Sequence, residues 1–332
     1  MLETLNYRII YLYDETLVKR VSSYNFISFL KILAIIIIYY NYIINNRKDM
    51  ICMAHYCVSD IHGNIQAFHN ILKQIKFTED DKLYVLGDVC DRREFGIDIL
   101  LELMGMKNAY LIKGNHEEFL SEYVFRYYIE DRSIESFLRY QWFPNGGIST
   151  YTSFLKLLGD DEKLALKLIE YIRNAPLYAE LTLEGKTFLL RHNLGSKEYN
   201  YATSHQIIDK NQSLEEFSVW NRRFLFSVHY ENKTVIFGHT PTIFLYETLL
   251  TGNHGTLDYL SLLEKAKEYQ NLPKLKIFEF DNQYCIDCGA SFPKESYIDK
   301  FNEETGKCEK INQPEGRLAC LRLEDMKEFY SD

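Results

Sequence analysis

The chain has 332 residues, 46% hydrophobic and 26% charged with six prolines, a make-up that supports a sizeable globular core and excludes a disordered or collagen-like chain. A formal net charge of −9, from 38 Lys and Arg against 47 Asp and Glu, excludes a general attraction to nucleic acid or anionic lipid, so a pocket for an anion has to be built locally, from metals and arginine. The seven cysteines are odd in number and scattered, which points to a reducing compartment and a cytoplasmic protein.

Residues 1–52 read differently from the rest. Phe26 to Ile44 approaches the length that spans a bilayer, but Ser28, Lys31 and Asn41 interrupt it and its unbroken core, Ile32 to Tyr40, is short. Lys19 and Arg20 precede it and Arg47 and Lys48 follow, so basic residues give no orientation, and no small-residue cleavage site follows as in a signal peptide. Ile32 to Asn46 holds seven Ile, three Tyr and three Asn, the residues of AT-rich codons. Arg47-Lys48-Asp49 can be encoded by a purine-rich ribosome-binding sequence just ahead of Met53. These features are what an untranslated leader read through would show, so Met53 is the expected true start, residues 53–332 are the working domain, and a membrane anchor through residues 26–44 is the alternative.

From His55 the chain alternates strand and helix. His55 to Ser59 reads as a strand that breaks into Asp60-Ile61-His62-Gly63-Asn64. Side chains alternate along a strand with period two, so Asp60 and His62 project the same way and both can reach one ion beyond the strand's carboxyl end. Ile65, Phe68, Ile71, Leu72 and Ile75 recur at helical spacing, and Leu83 to Leu86 is a strand ending in Gly87-Asp88-Val89-Cys90-Asp91-Arg92. Ile97 to Met104 is a helix, and Ala109 to Ile112 is a strand leading to Gly114-Asn115-His116-Glu117. Right-handed crossovers set these three loops side by side at one sheet edge. Glu117 to Ile172 reads as mostly helical and stops ahead of Pro176, because the residue before a proline leaves the helical region. Within it Trp142-Phe143-Pro144-Asn145-Gly146-Gly147 is a break, either an interhelical turn or a substrate contact.

Leu177 to Leu183 and Lys186 to Arg191 pair through a Glu184-Gly185 turn and deliver His192. A helix around Leu214 to Phe224 follows, and then the strand Thr234 to Phe237 delivers His239. Lys276 to Phe280 and Gln283 to Asp287 form a further hairpin, and Leu318 to Leu323 a last strand. The expected fold is α/β, two mixed β-sheets in a sandwich flanked by helices, with a site where the sheet ends meet. Residues 246–273 and 291–315 read as insertions. Cys285 and Cys288 lie three apart on a strand and face opposite sides, so they are read as separate thiols.

Asp60-x-His62-Gly63, Gly87-Asp88-x-x-Asp91-Arg92 and Gly114-Asn115-His116-Glu117, followed by Arg191-His192-Asn193 and Gly238-His239-Thr240-Pro241, resemble the ordered motifs of the calcineurin-like metallophosphoesterase family. The branch they resemble is that of bacterial and phage-type serine/threonine phosphoprotein phosphatases. A lone Asp-x-His recurs by chance, whereas five motifs in order from about His55 to Ala290 do not. The resemblance implies that Asp60, His62 and Asp88 hold one divalent ion, that Asp88, Asn115, His192 and His239 hold a second, and that Asp88 bridges them. Carboxylate, amide and imidazole together suit Mn, Fe or Zn better than Ca, and manganese is the expected ion.

The same resemblance makes His116 the general acid, Asp91 the carboxylate that orients it, Arg92 a phosphate clamp, and Arg222, in Trp220-Asn221-Arg222, a second phosphate arginine. In that branch an Asn-Gly-Gly element similar to Asn145-Gly146-Gly147 lies near the pocket. Two positions depart from the family pattern. Arg93 replaces a usual Gly and is expected to crowd or recharge the phosphate pocket, and Asn193-Leu194 replaces Ala-Gly beside His192. His55, His69, His205, His229 and His254 match no motif and are read as ordinary. The expected activity is metal-dependent hydrolysis of phosphoserine and phosphothreonine in a protein or peptide partner, with no nucleic-acid partner. The alternatives are a dinucleoside polyphosphate (diadenosine tetraphosphate) hydrolase and a catalytically silent module that binds a phosphorylated partner.

Overall fold

A computed structural model describes residues 53–129, 135–208, 211–252, 258–292, 297–302, 307–312 and 315–331. The apolar run at 26–44 and His254 lie outside the described residues, among which no helix is long and apolar enough to cross a membrane.

Strand β1 (His55–Val58) passes through Asn64, whose side chain accepts the Ala67 N–H, into helix α1 (Ile65–Ile75). Ala67, Phe68, Ile71 and Ile75 fall on one face of α1 and are buried, and Lys76 in left-handed backbone ends it. The alternation continues through β2 (Lys82–Val85), α2 (Gly96–Gly105) and β3 (Ala109–Leu111). These strands are parallel, with Val58 beside Val85 and Val85 beside Leu111, so they end level and release their loops together. β11 (Ala319–Arg322) and β12 (Lys327–Tyr330) extend the sheet antiparallel on the other side of β1, giving the order β12-β11-β1-β2-β3. β12 has no counterpart in the sequence reading, since Lys-Glu-Phe-Tyr carries charge where an edge strand tolerates it.

The helical stretch is built from α3 (Asn115–Tyr123), short helical turns over 135–145, α4 (Ile148–Asp160) and α5 (Glu162–Arg173). Gly146, at φ +96°, closes the break after Phe143-Pro144-Asn145. A second break, absent from the sequence reading, falls at Asp161, whose carboxylate caps α5 by accepting the Leu164 N–H at 2.9 Å.

The second sheet runs β4 (Tyr178–Leu183), β5 (Lys186–Arg191), β6 (Thr234–Phe237), β8 (Gln283–Cys285) and β7 (Phe278–Phe280), with β5, β6 and β8 parallel. Glu184 and Gly185 both take positive φ, the two-residue turn that matches strand twist. Between them, α6 (Ser196–Ser204) and α7 (Leu214–Trp220) follow β5, while α8 (Leu245–Thr251) and α9 (Tyr259–Tyr269) follow β6. α6 has no counterpart among the expected elements, and α7 ends at Trp220 rather than running on to Phe224. The β9 (Tyr297–Asn302) and β10 (Lys307–Asn312) hairpin lies within 291–315.

Period-two alternation places β6 between two cores. Ile236 packs with Phe188 and Leu190 of β5 against Cys57, Ala319 and Leu321 of the first sheet, whereas Val235 and Phe237 face Phe217, Leu245 and Leu262 of the outer helices. Fully burying a side chain such as Phe188, Phe237 or Phe278 contributes about 1.5–3 kcal/mol. Cys285 ends β8, Cys288 lies past it, and both are buried free thiols.

Candidate metal centre

Past the strand ends the loops stay paired. Asp60 N–H donates to Gly87 O at 3.1 Å, His62 N–H to Asp88 O at 2.9 Å and Gly63 N–H to Val89 O at 2.7 Å. Asp60, His62, Asp88, Asp91, Arg92 and His239 all hold φ between 48° and 67°, a left-handed conformation that costs about 1–2 kcal/mol for an ordinary residue and here forms the site itself. Glu117, on α3, accepts the N–H groups of Asp88 at 2.8 Å, Val89 at 2.7 Å and Gly114 at 3.0 Å, which fixes the second loop against the third. Gly114 permits this contact, because a Cβ there would fall 2.3 Å from Asp88 Oδ1.

Two groups of ligand-type side chains result. His62, Asp88 and His116 bring their ligand atoms within 4.8 Å of one another, as do Asp88, His192 and His239, and Asp88 belongs to both. His62 Nε2 is 3.9 Å from Asp88 Oδ2 and 4.0 Å from Asp60 Oδ1. His192 Nε2 is 3.4 Å from Asp88 Oδ1, 3.0 Å from Asn115 Oδ1 and 3.1 Å from His239 Nδ1. His62 Nδ1–H donates to Cys90 O at 3.0 Å and His192 Nδ1–H to Leu86 O at 2.7 Å, so each Nε2 turns its lone pair inward. Lone pairs therefore face carboxylate and amide oxygens. Asp60 Oδ1 and His62 Nε2 are buried with no hydrogen-bond partner, although Asp60 Oδ2 is held by Ser59 Oγ–H and by His239 N–H at 2.9 Å. Buried acceptors converging on one another are costly unless a cation sits between them, and this donor set fits divalent transition ions.

The electrostatics agree. Burial pushes His62 and His239 well below the ordinary imidazole value, leaving them neutral donors. Burial raises the Asp60 carboxyl, and the neighbouring Asp287 and Asp88 raise it further. Burial works the same way on Asp88, but the neighbouring imidazoles, His192 and His116 foremost, outweigh it and hold that carboxyl well below the usual range.

His116 stands at the border of the first group. Its Nε2 is 3.7 Å from Asp88 Oδ2, and its Nδ1–H donates to Asp91 Oδ2 at 2.6 Å. Burial depresses this imidazole, but Asp88 and Asp91 more than offset that and raise it above its ordinary value. Arg92, exposed, donates to Ser291 Oγ at 3.1 Å, and Arg222 donates to His239 O at 3.2 Å. Both line one open cleft of about 510 Å³ beside Thr240, Phe244 and Phe292. Two cation positions sharing a carboxylate, a raised imidazole beside them and two arginines at the rim can together hold and act on a phosphoryl group.

Every side chain singled out by the motifs thus lies at this end of the two sheets. Arg93 does not crowd the cleft as expected: its side chain donates to Phe292 O at 2.9 Å and is not among the lining residues. The Asn193-Leu194 departure is accommodated, since Asn193 Nδ2–H donates to Asn221 O at 2.6 Å, Leu194 N–H to Ser218 O at 3.1 Å and Gly238 N–H to His192 O at 2.8 Å. The Asn-Gly-Gly turn touches the site through Gly146 O, which accepts the Arg92 N–H at 2.9 Å. His55, His69 and His229 pair with Glu324, Glu102 and Asp281, and His205 bonds Tyr201 O.

Asp287 was missed. It lies just past β8, buried, with burial lifting its carboxyl to about 6. The signal was present in Cys285-Ile286-Asp287-Cys288-Gly289, a strand that ends in an acid near a glycine, but no motif marks it.

A second buried charged cluster lies next door. Arg191 donates to Glu198 Oε1 and Oε2 at 2.8 Å each and to Tyr230 Oη at 3.0 Å, and it lines a separate cleft of about 610 Å³ with Leu177, Leu189 and Lys197.

Residues 53–242 match the sequence pattern of the family described as calcineurin-like phosphoesterase. Over 78 residues the chain is 32% identical to a Caenorhabditis elegans protein named as a serine/threonine-protein phosphatase, covering 22% of this chain and 21% of that protein. Over 67 residues it is 34% identical to a symmetrical bis(5'-nucleosyl)-tetraphosphatase of Nitrosococcus oceani, covering 20% of this chain and 24% of that enzyme. The matched segments span 21% and 24% of these curated relatives' lengths. A solved structure described as a diadenosine tetraphosphatase has a TM-score of 0.45 at 13% identity, over 83% of this chain and 92% of its own.

Proposed function

The chain belongs to the calcineurin-like phosphoesterase family, and from that premise we propose that it is a metal-dependent phosphomonoesterase acting on phosphoserine and phosphothreonine in proteins. Asp60, His62 and Asp88 would hold one divalent ion, and Asp88, Asn115, His192 and His239 the other, with manganese as the working metal. When bound, the two ions supply an activated water and neutralise charge on the phosphoryl oxygens.

The chain's own residues do the rest. Arg92 and Arg222 grip the phosphoryl oxygens at the rim, where a planar guanidinium fork matches their geometry. As the P–O bond breaks, the His116 Nε2 proton passes to the leaving serine or threonine oxygen. Asp91 keeps the ring turned toward that oxygen and stabilises the imidazolium until transfer. Ser59 and the His239 amide fix Asp60.

The observation that carries this reading is the 2.6 Å contact between His116 and the buried carboxylate of Asp91, beside Asp88. A module that only binds a phosphorylated partner has no use for a proton donor held in this way. Of the described residues lining the cleft, Arg92 and Arg222 alone are cationic, a match for one phosphoryl group rather than a chain of four. The test is turnover of a phosphopeptide panel beside diadenosine tetraphosphate, after chelation and with Mn added back. Phosphopeptide hydrolysis that vanishes on chelation and returns with Mn is expected. Full activity in metal-free protein would refute the reading, and preference for the tetraphosphate would replace the substrate class.

A further inference from the structure

Asp91 is gripped from a direction that the motif pattern does not contain. Its Oδ2 accepts two hydrogen bonds, from His116 Nδ1 at 2.6 Å and from Trp142 Nε1 at 2.9 Å, while Oδ1 is buried without a partner. Both donors meet at one oxygen, so the indole N–H fixes the carboxylate's rotation about its own bond and with it the tilt of the imidazole.

Trp142 is itself held rigidly. It is fully buried, with Tyr123, Phe137 and Tyr151 around the ring at centroid distances of 5.6, 6.1 and 6.2 Å. Gly147 backs directly onto it, where a Cβ would come 2.2 Å from the indole. The same short stretch also fastens the backbone on either side of the carboxylate, because Asp91 N–H donates to Thr150 Oγ1 at 2.7 Å and Arg92 N–H to Gly146 O at 2.9 Å. A tryptophan needed only for packing requires some acceptor for its N–H. This one uses the carboxylate that orients the acid.

We infer that Trp142 is a positioning residue for proton transfer, holding Asp91 through its indole N–H so that His116 is aimed at the leaving oxygen. The inference rests on the reading of His116 as the general acid. Trp142→Phe keeps a ring in the pocket and removes the donor. A donor to a charged group is lost, so kcat on a phosphoserine peptide should fall about tenfold or more with KM nearly unchanged, while kcat on an activated aryl phosphate, whose leaving group needs its proton less, should fall far less. In a His116→Asn background the same change should cost almost nothing further, because the route through Asp91 has no acid left to aim.

Equal losses on the two substrates, or a loss that persists undiminished without His116, would make Trp142 a packing residue and overturn the inference. If His116→Asn alone slows both substrates alike, the reading of His116 fails first, and that result is separate from any on Trp142. Should Trp142→Phe not fold, site-specific replacement of Trp142 by its benzothienyl isostere, which has the same shape and no N–H, gives the same comparison. Unchanged phosphoserine turnover in that protein overturns the inference equally.

Discussion

Arg191 and His192 are consecutive at the end of β5, yet they lead to two buried charged clusters of opposite character. Around Arg191 the charges are complementary: both Glu198 oxygens bond the guanidinium, Tyr230 bonds both partners, and Gly195 N–H adds a further donor to Glu198 at 3.1 Å. Around His192 acceptors face acceptors, and Asp60 Oδ1 and His62 Nε2 are left without a donor, whereas the unpartnered Arg191 Nε belongs to a guanidinium whose charge Glu198 already matches. Burial of charge is common to both. What marks the second as the candidate working site is the missing complement, which a cation would supply.

The two clusters should part most strongly at Asp88. Asp88→Ala should remove both ions and all activity, because this carboxylate serves both groups, whereas His62→Ala should keep one ion. Elemental analysis showing equal metal loss in the two variants would contradict the division. His116→Asn comes next: it should keep the fold and both ions and lose about 10²–10⁴-fold in rate on phosphoserine, less on an aryl phosphate. Lost metal would place His116 among the ligands. On the Arg191 side the effect should move to stability. Glu198→Ala leaves a buried guanidinium uncompensated and should cost about 3–5 kcal/mol in urea unfolding, with metal content and kcat per folded molecule nearly intact. Loss of activity at unchanged stability would erase the distinction between the clusters. The smallest effect is expected from a chain beginning at Met53, which contains every motif and should match the full chain in solubility and turnover.

Much of the sandwich was legible because its strands are short apolar runs closed by turn residues. Thr234 to Phe237, between Lys233 and Gly238, was read to the residue, and Glu184-Gly185 announced its hairpin. The candidate metal centre was legible for another reason: each ligand-type residue follows a strand closely, so spacing along the chain becomes proximity in space. What failed to show lacked a period or a neighbour in sequence. α6, Ser-Lys-Glu-Tyr-Asn-Tyr-Ala-Thr-Ser, has no apolar stripe and is held by Glu198 accepting the Gly195 N–H. The break before α5 rests on one capping aspartate inside a run with helical spacing. Asp287 and Trp142 reach the site from elements distant in sequence, Trp142 being 51 residues from Asp91, and no local pattern encodes such a meeting.

Glu117 carries a consequence for how such a site can change. Because one carboxylate gathers amides from Asp88, Val89 and Gly114, the loop that carries Asp88 and the loop with Asn115 and His116 are fastened to each other through Glu117. A substitution that shifts one shifts the other. Altering metal preference by exchanging loops between relatives therefore requires these two to travel as one cassette with Glu117, and a transplant of either alone would arrive out of register.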